Sequence, residues 1–591
     1  MATQVQVPGT ATSQSRDYRM PADQAAEALV ASMKLNGIER LWFVSGSELA
    51  FFQESAVKHG ALGRPAPKIM TMTHENAALA AACGETVVTG RPAAAAFHVE
   101  CGLMNAGGAI HNADRGHYPV LIMSGYPPSA EMGSVPGARS SYIQWYQQIR
   151  DQGELLRQYV RWDHKLASYD NAGLVISRAV QVMTSEPRGP AYLALPREAT
   201  MRPIESARFP LAEHLRPAGT PAADRGELRQ AAAWLLQAEH PLICVGRYGD
   251  NVAGLPALRE LAETLGARVM ADPFRMNFPG SHPLHRGTPG INATPPDSDC
   301  VLVIDTVVPW QPASFDPDAS TRVIRLAFDP IERMTPIYEF PSDLSITADP
   351  VKAVPQLLEE LRSSMTPEQK RRCEARRQRS ETEGRERLGA AVDAAEADRA
   401  KGILSPRWLS YEVGRTLDAE AIITHELVDS SLFNRSLPGT LVGTGGSSIG
   451  FAAPAAIGVK VASGDRPVVA CIGDGSWMFA NPQVTAWASA YHKAPVLFIV
   501  WNNRGYRTGT VDVLRSYPEG YSAREGDHTG GWFDPCPNYS GEAAASGAYG
   551  EKVTDAKDVG PAIRRALDAI RRDRVPAVLD MWMPKLVTGE V

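Results

Sequence analysis

Two short polar turns, Gly473-Asp474-Gly475-Ser476 and Asn502-Asn503-Arg504-Gly505, carry residue types that bind an ion and a phosphate. Asp474 and Asn503 offer hard oxygen ligands of the kind magnesium prefers while it holds a substrate's phosphates. Gly473 and Gly475 have no side chain, so the backbone there can approach a diphosphate closely. A helix starting at that turn presents free N–H groups to the same anion. Twenty-six residues separate Gly475 from Asn502 (502 − 475 − 1). A further carboxylate, Glu75, opens an alanine-rich run in THENAALAAACGE. The helix macrodipole favours an acid at that point even on a plain surface, so Glu75 taken alone leaves both readings open.

Turns of this kind act together only if the elements before them bring them together. The apolar runs 468–472 and 496–501 read as β-strands flanking a helical segment. Parallel strands joined by a helix put both carboxyl ends on one sheet edge, where α/β folds bind ligands. The first third of the chain follows the same alternation. Helical spacing of Ala25, Leu29, Val30 and Met33 predicts a helix from Pro21 to about Lys34. Strands are expected at 41–44, 68–73, 92–97 and 119–123, a pattern that indicates a parallel sheet covered on both faces. A second α/β unit is expected from a helix at 227–238 and strands at 242–245, 267–271, 300–304 and 322–326. Its GRYGD loop does not complete GxGxxG, so a dinucleotide is poorly supported there. The segment 366–388 is dense in charge of both signs and reads as a solvated helix between domains. The resulting division is a disordered tail at 1–17 and domains at 18–210, 226–365 and 405–591, with the charged helical linker at 366–404.

A chain of 591 residues exceeds a single core. Hydrophobic residues at 44% and charged residues at 21% describe an ordinary globular protein, and a net charge of −6 argues against nucleic acid or an anionic membrane as partner. No run of 18 apolar residues is present to span a bilayer. Seven scattered cysteines without a CxxC pair fit reduced thiols in a cytoplasm.

GDG followed at this distance by NN, between two apolar strands, resembles the thiamine diphosphate fingerprint. Nearly the whole chain from about Tyr18 is similar to the thiamine diphosphate-dependent decarboxylase and carboligase superfamily, which includes pyruvate decarboxylase and acetohydroxyacid synthase. The resemblance implies three doubly wound parallel-sheet α/β domains: pyrimidine-binding, central and diphosphate-binding. It implies thiamine diphosphate and magnesium as cofactors, with Asp474, the Asn503 side chain and the Gly505 carbonyl as metal ligands. Cofactor contacts are implied at Gly446, Ile449, Gly473, Gly475, Ser476 and Tyr506. Among them Ile449, in GGSSIGFAAPAAIGV, is the apolar wedge that bends the cofactor. Glu75 is implied as the carboxylate that protonates the aminopyrimidine ring and so turns its amino group into a base.

The polar motifs resemble those of the benzoylformate decarboxylases. Ser47 in GSELAFF matches their active-site serine, although this turn is one residue shorter. His98, 23 residues after Glu75, matches their first histidine, and His282 in FPGSHPLHRG their second. An imidazole can give and take a proton near neutral pH. The activity implied is non-oxidative decarboxylation of a 2-oxo acid through a cofactor-held enamine, in a cytoplasmic homodimer or homotetramer with shared active sites. An acetolactate synthase-like carboligase joining two 2-oxo acids is the alternative. A non-catalytic cofactor-binding member is a second, against which an intact Glu75 stands. Several features depart from the decarboxylase pattern: the bulky Ser476-Trp477-Met478-Phe479, the Arg-Gly-Tyr-Arg that follows Asn503, the stretch YIQWYQQIR, which is similar to the FQE region of acetohydroxyacid synthases, and the insertion 508–538, a lid or a surface loop. The arginine motif that accompanies flavin in those synthases is not found near 304–310, so flavin is not expected.

Overall fold

Buried apolar runs without alternation make strands that must be covered on both faces. Every residue of Val120–Tyr126 and of Leu497–Asn502 is buried, as that rule requires. The computed structural model describes residues 17–585, and the described chain forms two compact units.

One unit comprises the described residues to Gly219 together with Thr444–Gly464 and Trp487–Ala494. Its strands are β1 (Asp17–Pro21), β2 (Arg40–Phe43), β3 (Lys68–Thr71), β4 (Ala93–Phe97), β5 (Val120–Tyr126), β6 (Trp162–Lys165), β7 (Ala191–Pro196) and β8 (Ser206–Pro210). Six of them form a parallel sheet ordered β3-β2-β4-β5-β7-β6, while β1 and β8 pair antiparallel. The connections after β2 and β4 run in opposite directions. The crevice between their carboxyl ends is therefore the topological switch point, the usual ligand position in such a sheet.

The helix Glu75–Thr89, closed by Gly90 at φ 62°, lies against the helix Ala452–Ser463. Small residues allow this contact. A Cβ on Gly84 would meet the Ala455 carbonyl oxygen at 2.1 Å, and one on Gly458 the Ala81 oxygen at 1.8 Å.

The other unit comprises Thr220–Gly443, Asp465–Ala486 and the described residues from Pro495. Strands β9 (Pro241–Val245), β10 (Arg268–Ala271), β11 (Cys300–Ile304), β12 (Arg322–Ala327) and β13 (Leu344–Thr347) make a parallel sheet ordered β10-β9-β11-β12-β13. A second parallel sheet, ordered β15-β14-β16-β17-β19-β18, is built from β14 (Ile422–Glu426), β15 (Leu441–Gly443), β16 (Val468–Gly473), β17 (Leu497–Asn502), β18 (Tyr549–Val553) and β19 (Ala577–Trp582). In it Gly473 stands opposite Trp501, which brings the two polar turns side by side. The charged segment is a helix, Pro367–Ala400, started by a Thr366/Gln369 capping box.

Three parallel α/β sheets are thus present, the expected fold class. Some boundaries differ from expectation. Asp17 begins β1 rather than ending a disordered tail, and residues 1–16 lie outside the described residues. Pro21 closes that strand, so the first helix starts at Ala25. The antiparallel pair β1–β8 escaped notice because its prolines read as boundaries. Among the described residues no helix is long and apolar enough to cross a membrane.

Candidate functional site

The GDG turn is built around a buried acid. Asp474 is 1% exposed and begins the short helix Asp474–Phe479. Its Oδ1 accepts the Gly475 N–H at 2.9 Å, and its Oδ2 the Gly505 N–H at 2.9 Å. Burial pushes its carboxyl up to about 6 despite these donors. The Asn503 Oδ1 and the Ser476 Oγ are buried with no hydrogen-bond partner. The Gly505 carbonyl accepts the Arg507 N–H at 3.0 Å, which leaves it a second lone pair. A Cβ on Gly475 would lie 2.9 Å from the Tyr506 ring, so any larger residue must push that ring aside.

The preceding asparagine has a different job. The Asn502 Nδ2 donates to the buried Asp580 of β19 at 2.7 Å, and its Oδ1 accepts the Arg504 N–H at 3.0 Å. Asn502 and Asp580 therefore shape the loop, and Asn503 is left to offer its oxygen. The insertion 508–538 is tied to the same loop: Tyr506 N–H donates to the Gly531 oxygen and Phe533 N–H to the Arg504 oxygen, both at 2.7 Å.

In the other unit, Glu75 is the first residue of its helix, and one carboxylate oxygen accepts the Asn105 Nδ2 at 2.6 Å. The neighbouring Asn76 donates to the Gly450 carbonyl at 3.3 Å and accepts the Ala109 N–H at 2.8 Å. Asn112 clamps Ser448 by two hydrogen bonds, at 2.8 and 3.1 Å. Ile449 is thus held between two anchored residues, one of them bonded to the residue after Glu75. Gly446 lies against Asn112, where a Cβ would be 2.4 Å from Oδ1.

At the switch-point crevice of the same unit, Ser47 and Glu48 follow β2 and His98 follows β4. Glu48 is 0% exposed. One of its oxygens accepts the Gln144 Nε2 at 3.0 Å; the other accepts the Ser47 hydroxyl at 2.6 Å and makes a short hydrogen bond with the His98 Nε2. Burial pushes the Glu48 carboxyl up, but the hydrogen bonds from His98, Ser47 and Gln144 outweigh it and hold the group down at about 2. Ser47 also stands 3.5 Å from the His98 Nε2. Val99, next in sequence, has φ 45°, a strained conformation for a β-branched residue and one that proteins keep mainly at functional sites. Glu48 escaped the sequence reading because a Ser-Glu turn also reads as an ordinary helix cap.

His282 differs from these residues. Its Nε2 contacts the Glu263 carboxylate at 3.2 Å and its Nδ1 accepts the Leu284 N–H at 3.1 Å. Both ring nitrogens are engaged beside the central sheet.

Three family models match the chain in succession. The N-terminal TPP-binding domain of thiamine pyrophosphate enzymes matches residues 23–155, the central domain 228–357, and the C-terminal TPP-binding domain 425–581. The chain belongs to the thiamine pyrophosphate enzyme family. It is similar to benzoylformate decarboxylase of Pseudomonas aeruginosa, 27% identical over 75% of this chain and 79% of the relative. It is also similar to sulfoacetaldehyde acetyltransferase of Castellaniella defragrans, 25% identical over 94% of this chain and 92% of the relative. A solved structure, the thiamine diphosphate-dependent 4-hydroxybenzoylformate decarboxylase of Rhodococcus jostii, shares the fold with a TM-score of 0.74. That likeness covers 95% of this chain and 99% of the other at 21% identity.

The residues present fit the family's cofactor. Asp474, the unpartnered Asn503 oxygen and the Gly505 carbonyl are an all-oxygen set, the kind a hard cation takes while it holds phosphates. The side-chain-free Gly475 leaves backbone open to an anion.

Proposed function

We propose that this thiamine pyrophosphate-family enzyme releases carbon dioxide from a 2-oxo acid without oxidation and delivers an aldehyde. The observation that carries the proposal is His98 hydrogen-bonded to a buried, ionised Glu48 at the switch-point crevice. In this reading Asp474, Asn503 and Gly505 hold a magnesium ion, and through it the diphosphate, with Gly473, Gly475, Ser476 and Tyr506 lining that end. Ile449 and Gly446 support the bent cofactor, and Glu75 holds the proton of its pyrimidine ring nitrogen. When bound, thiamine diphosphate supplies the electron sink into which the carboxylate's electrons pass.

His98 then gives its proton to the carbon that carbon dioxide has left, while the hydrogen bond to Glu48 fixes the imidazole's orientation. Ser47 stands within reach of the same nitrogen and orients the substrate's oxygens. His282 has no part in this scheme, because both of its nitrogens have partners of their own. The reading places the enzyme in the cytoplasm as a homodimer or homotetramer.

The test is a panel of aryl and alkyl 2-oxo acids with thiamine diphosphate and magnesium, read as carbon dioxide and product. One aldehyde per carbon dioxide supports the proposal. Acyloin as the main product would replace it with a carboligase, and no carbon dioxide from any member would refute it.

A further inference from the structure

The one-turn helix Ile143–Tyr146 is packed inside out. Tyr142, Trp145 and Tyr146 are 74%, 48% and 81% exposed, whereas Gln144 is 1% exposed. Burying an amide among exposed aromatics is unfavourable unless each of its polar atoms finds a partner. Those partners are specific. The Gln144 Oε1 accepts the Ser140 N–H at 2.8 Å and the Ser141 N–H at 3.3 Å, so it closes its own loop. Its Nε2 donates to the Glu48 carboxylate at 3.0 Å, on the oxygen that His98 does not use. Among the described residues no lysine or arginine pairs with Glu48; its carboxylate is met by this amide, the Ser47 hydroxyl and the His98 imidazole. Gly125 of β5 makes room for the arrangement, because a Cβ there would lie 2.6 Å from the Glu48 Cβ.

We propose that Gln144 is a positioning residue, tying the 139–150 loop to the Glu48 carboxylate and thereby setting the orientation from which His98 delivers its proton. The inference rests on the proton-delivery role proposed for His98. A hydrogen bond to a charged group is strong enough that its loss slows the step roughly ten- to hundredfold. Because Gln144 acts through Glu48, its effect disappears once Glu48 is neutral.

The test is a double-mutant cycle of Gln144→Met and Glu48→Gln in the full enzyme with thiamine diphosphate, magnesium and benzoylformate as probe. Aldehyde release and first-turnover carbon dioxide are followed together, and amide hydrogen exchange of the 139–150 peptide is measured separately without substrate. The expected result is slowed aldehyde release in each single variant and a double variant no slower than the slower single. Faster exchange at Ser140 and Ser141 is expected in Gln144→Met and in Glu48→Ala. Effects that multiply, a wild-type rate in Gln144→Met, or unchanged loop exchange would overturn the proposal. His98→Ala separates the two levels of argument. If it releases aldehyde at the wild-type rate, the proton-delivery reading fails; if it is slow while Gln144→Met is not, only the role of Gln144 fails. Should benzoylformate not be turned over, the exchange measurement alone decides whether the tether exists.

Discussion

Replacing His98 by alanine removes two things at once, and the structure allows them to be separated. The first is the acid. General acid assistance is worth roughly 10²–10⁴-fold, about 3–5 kcal/mol of barrier at ~1.36 kcal/mol per tenfold. The second is a partner of a buried carboxylate: Glu48 keeps only Ser47 at 2.6 Å and Gln144 at 3.0 Å. Loss of one donor to such a group costs about 1–3 kcal/mol of stability. His98→Gln keeps a donor for Glu48 but cannot give up a proton. Both variants should therefore slow aldehyde formation by about 10²-fold or more, and only His98→Ala should also lower the melting temperature markedly. Rapid-quench single turnovers that count carbon dioxide and aldehyde in one sample provide the assay. Carbon dioxide should appear well ahead of aldehyde, and an added oxidant should divert product to the acid. Aldehyde at the wild-type rate in both variants would show that the imidazole is structural and the reasoning wrong.

Glu75→Gln keeps the shape and the bond to Asn105 but should slow deuterium exchange at the cofactor's reactive carbon by orders of magnitude while cofactor binding survives, as NMR would show. Gly475→Ala puts a methyl 2.9 Å from the Tyr506 ring. Overpacking of that kind costs ~1–3 kcal/mol, so titration should find cofactor affinity reduced about ten- to hundredfold. The Glu48 carboxyl is held at about 2 against an ordinary 4.5. Its interactions thus contribute stability that is complete above the ordinary value and lost as the pH falls from there through about 2. Glu48→Gln should accordingly be less stable than wild type at pH 7, with the gap narrowing at pH 3 in thermal melts.

Much of this was legible because the signals are local. Parallel strands ending in GDG and NN need only apolar runs and a count of residues, and β16 and β17 lie within one residue of the expected bounds. Residues whose meaning depends on distant partners were not legible. The loop-shaping bond of Asn502 is one example, because Asp580, which takes its amide, lies on a strand 78 residues away. Gln144 is hidden by its neighbours, since an aromatic-rich turn argues for apolar residues inside and the amide outside. Asn76 and Gly450 lie 374 residues apart, and nothing near either announces the bond that anchors Ile449.

In the proposed function, Asp474 and its loop hold a diphosphate through a cation. Calorimetric titration of thiamine diphosphate into the metal-stripped enzyme, with and without magnesium, measures this most directly. Tight binding that requires magnesium is expected in the wild type and its loss in Asp474→Ala, because the buried diphosphate is then left without its compensating cation. Binding of equal affinity in the variant, or in the wild type without any divalent ion, would contradict it.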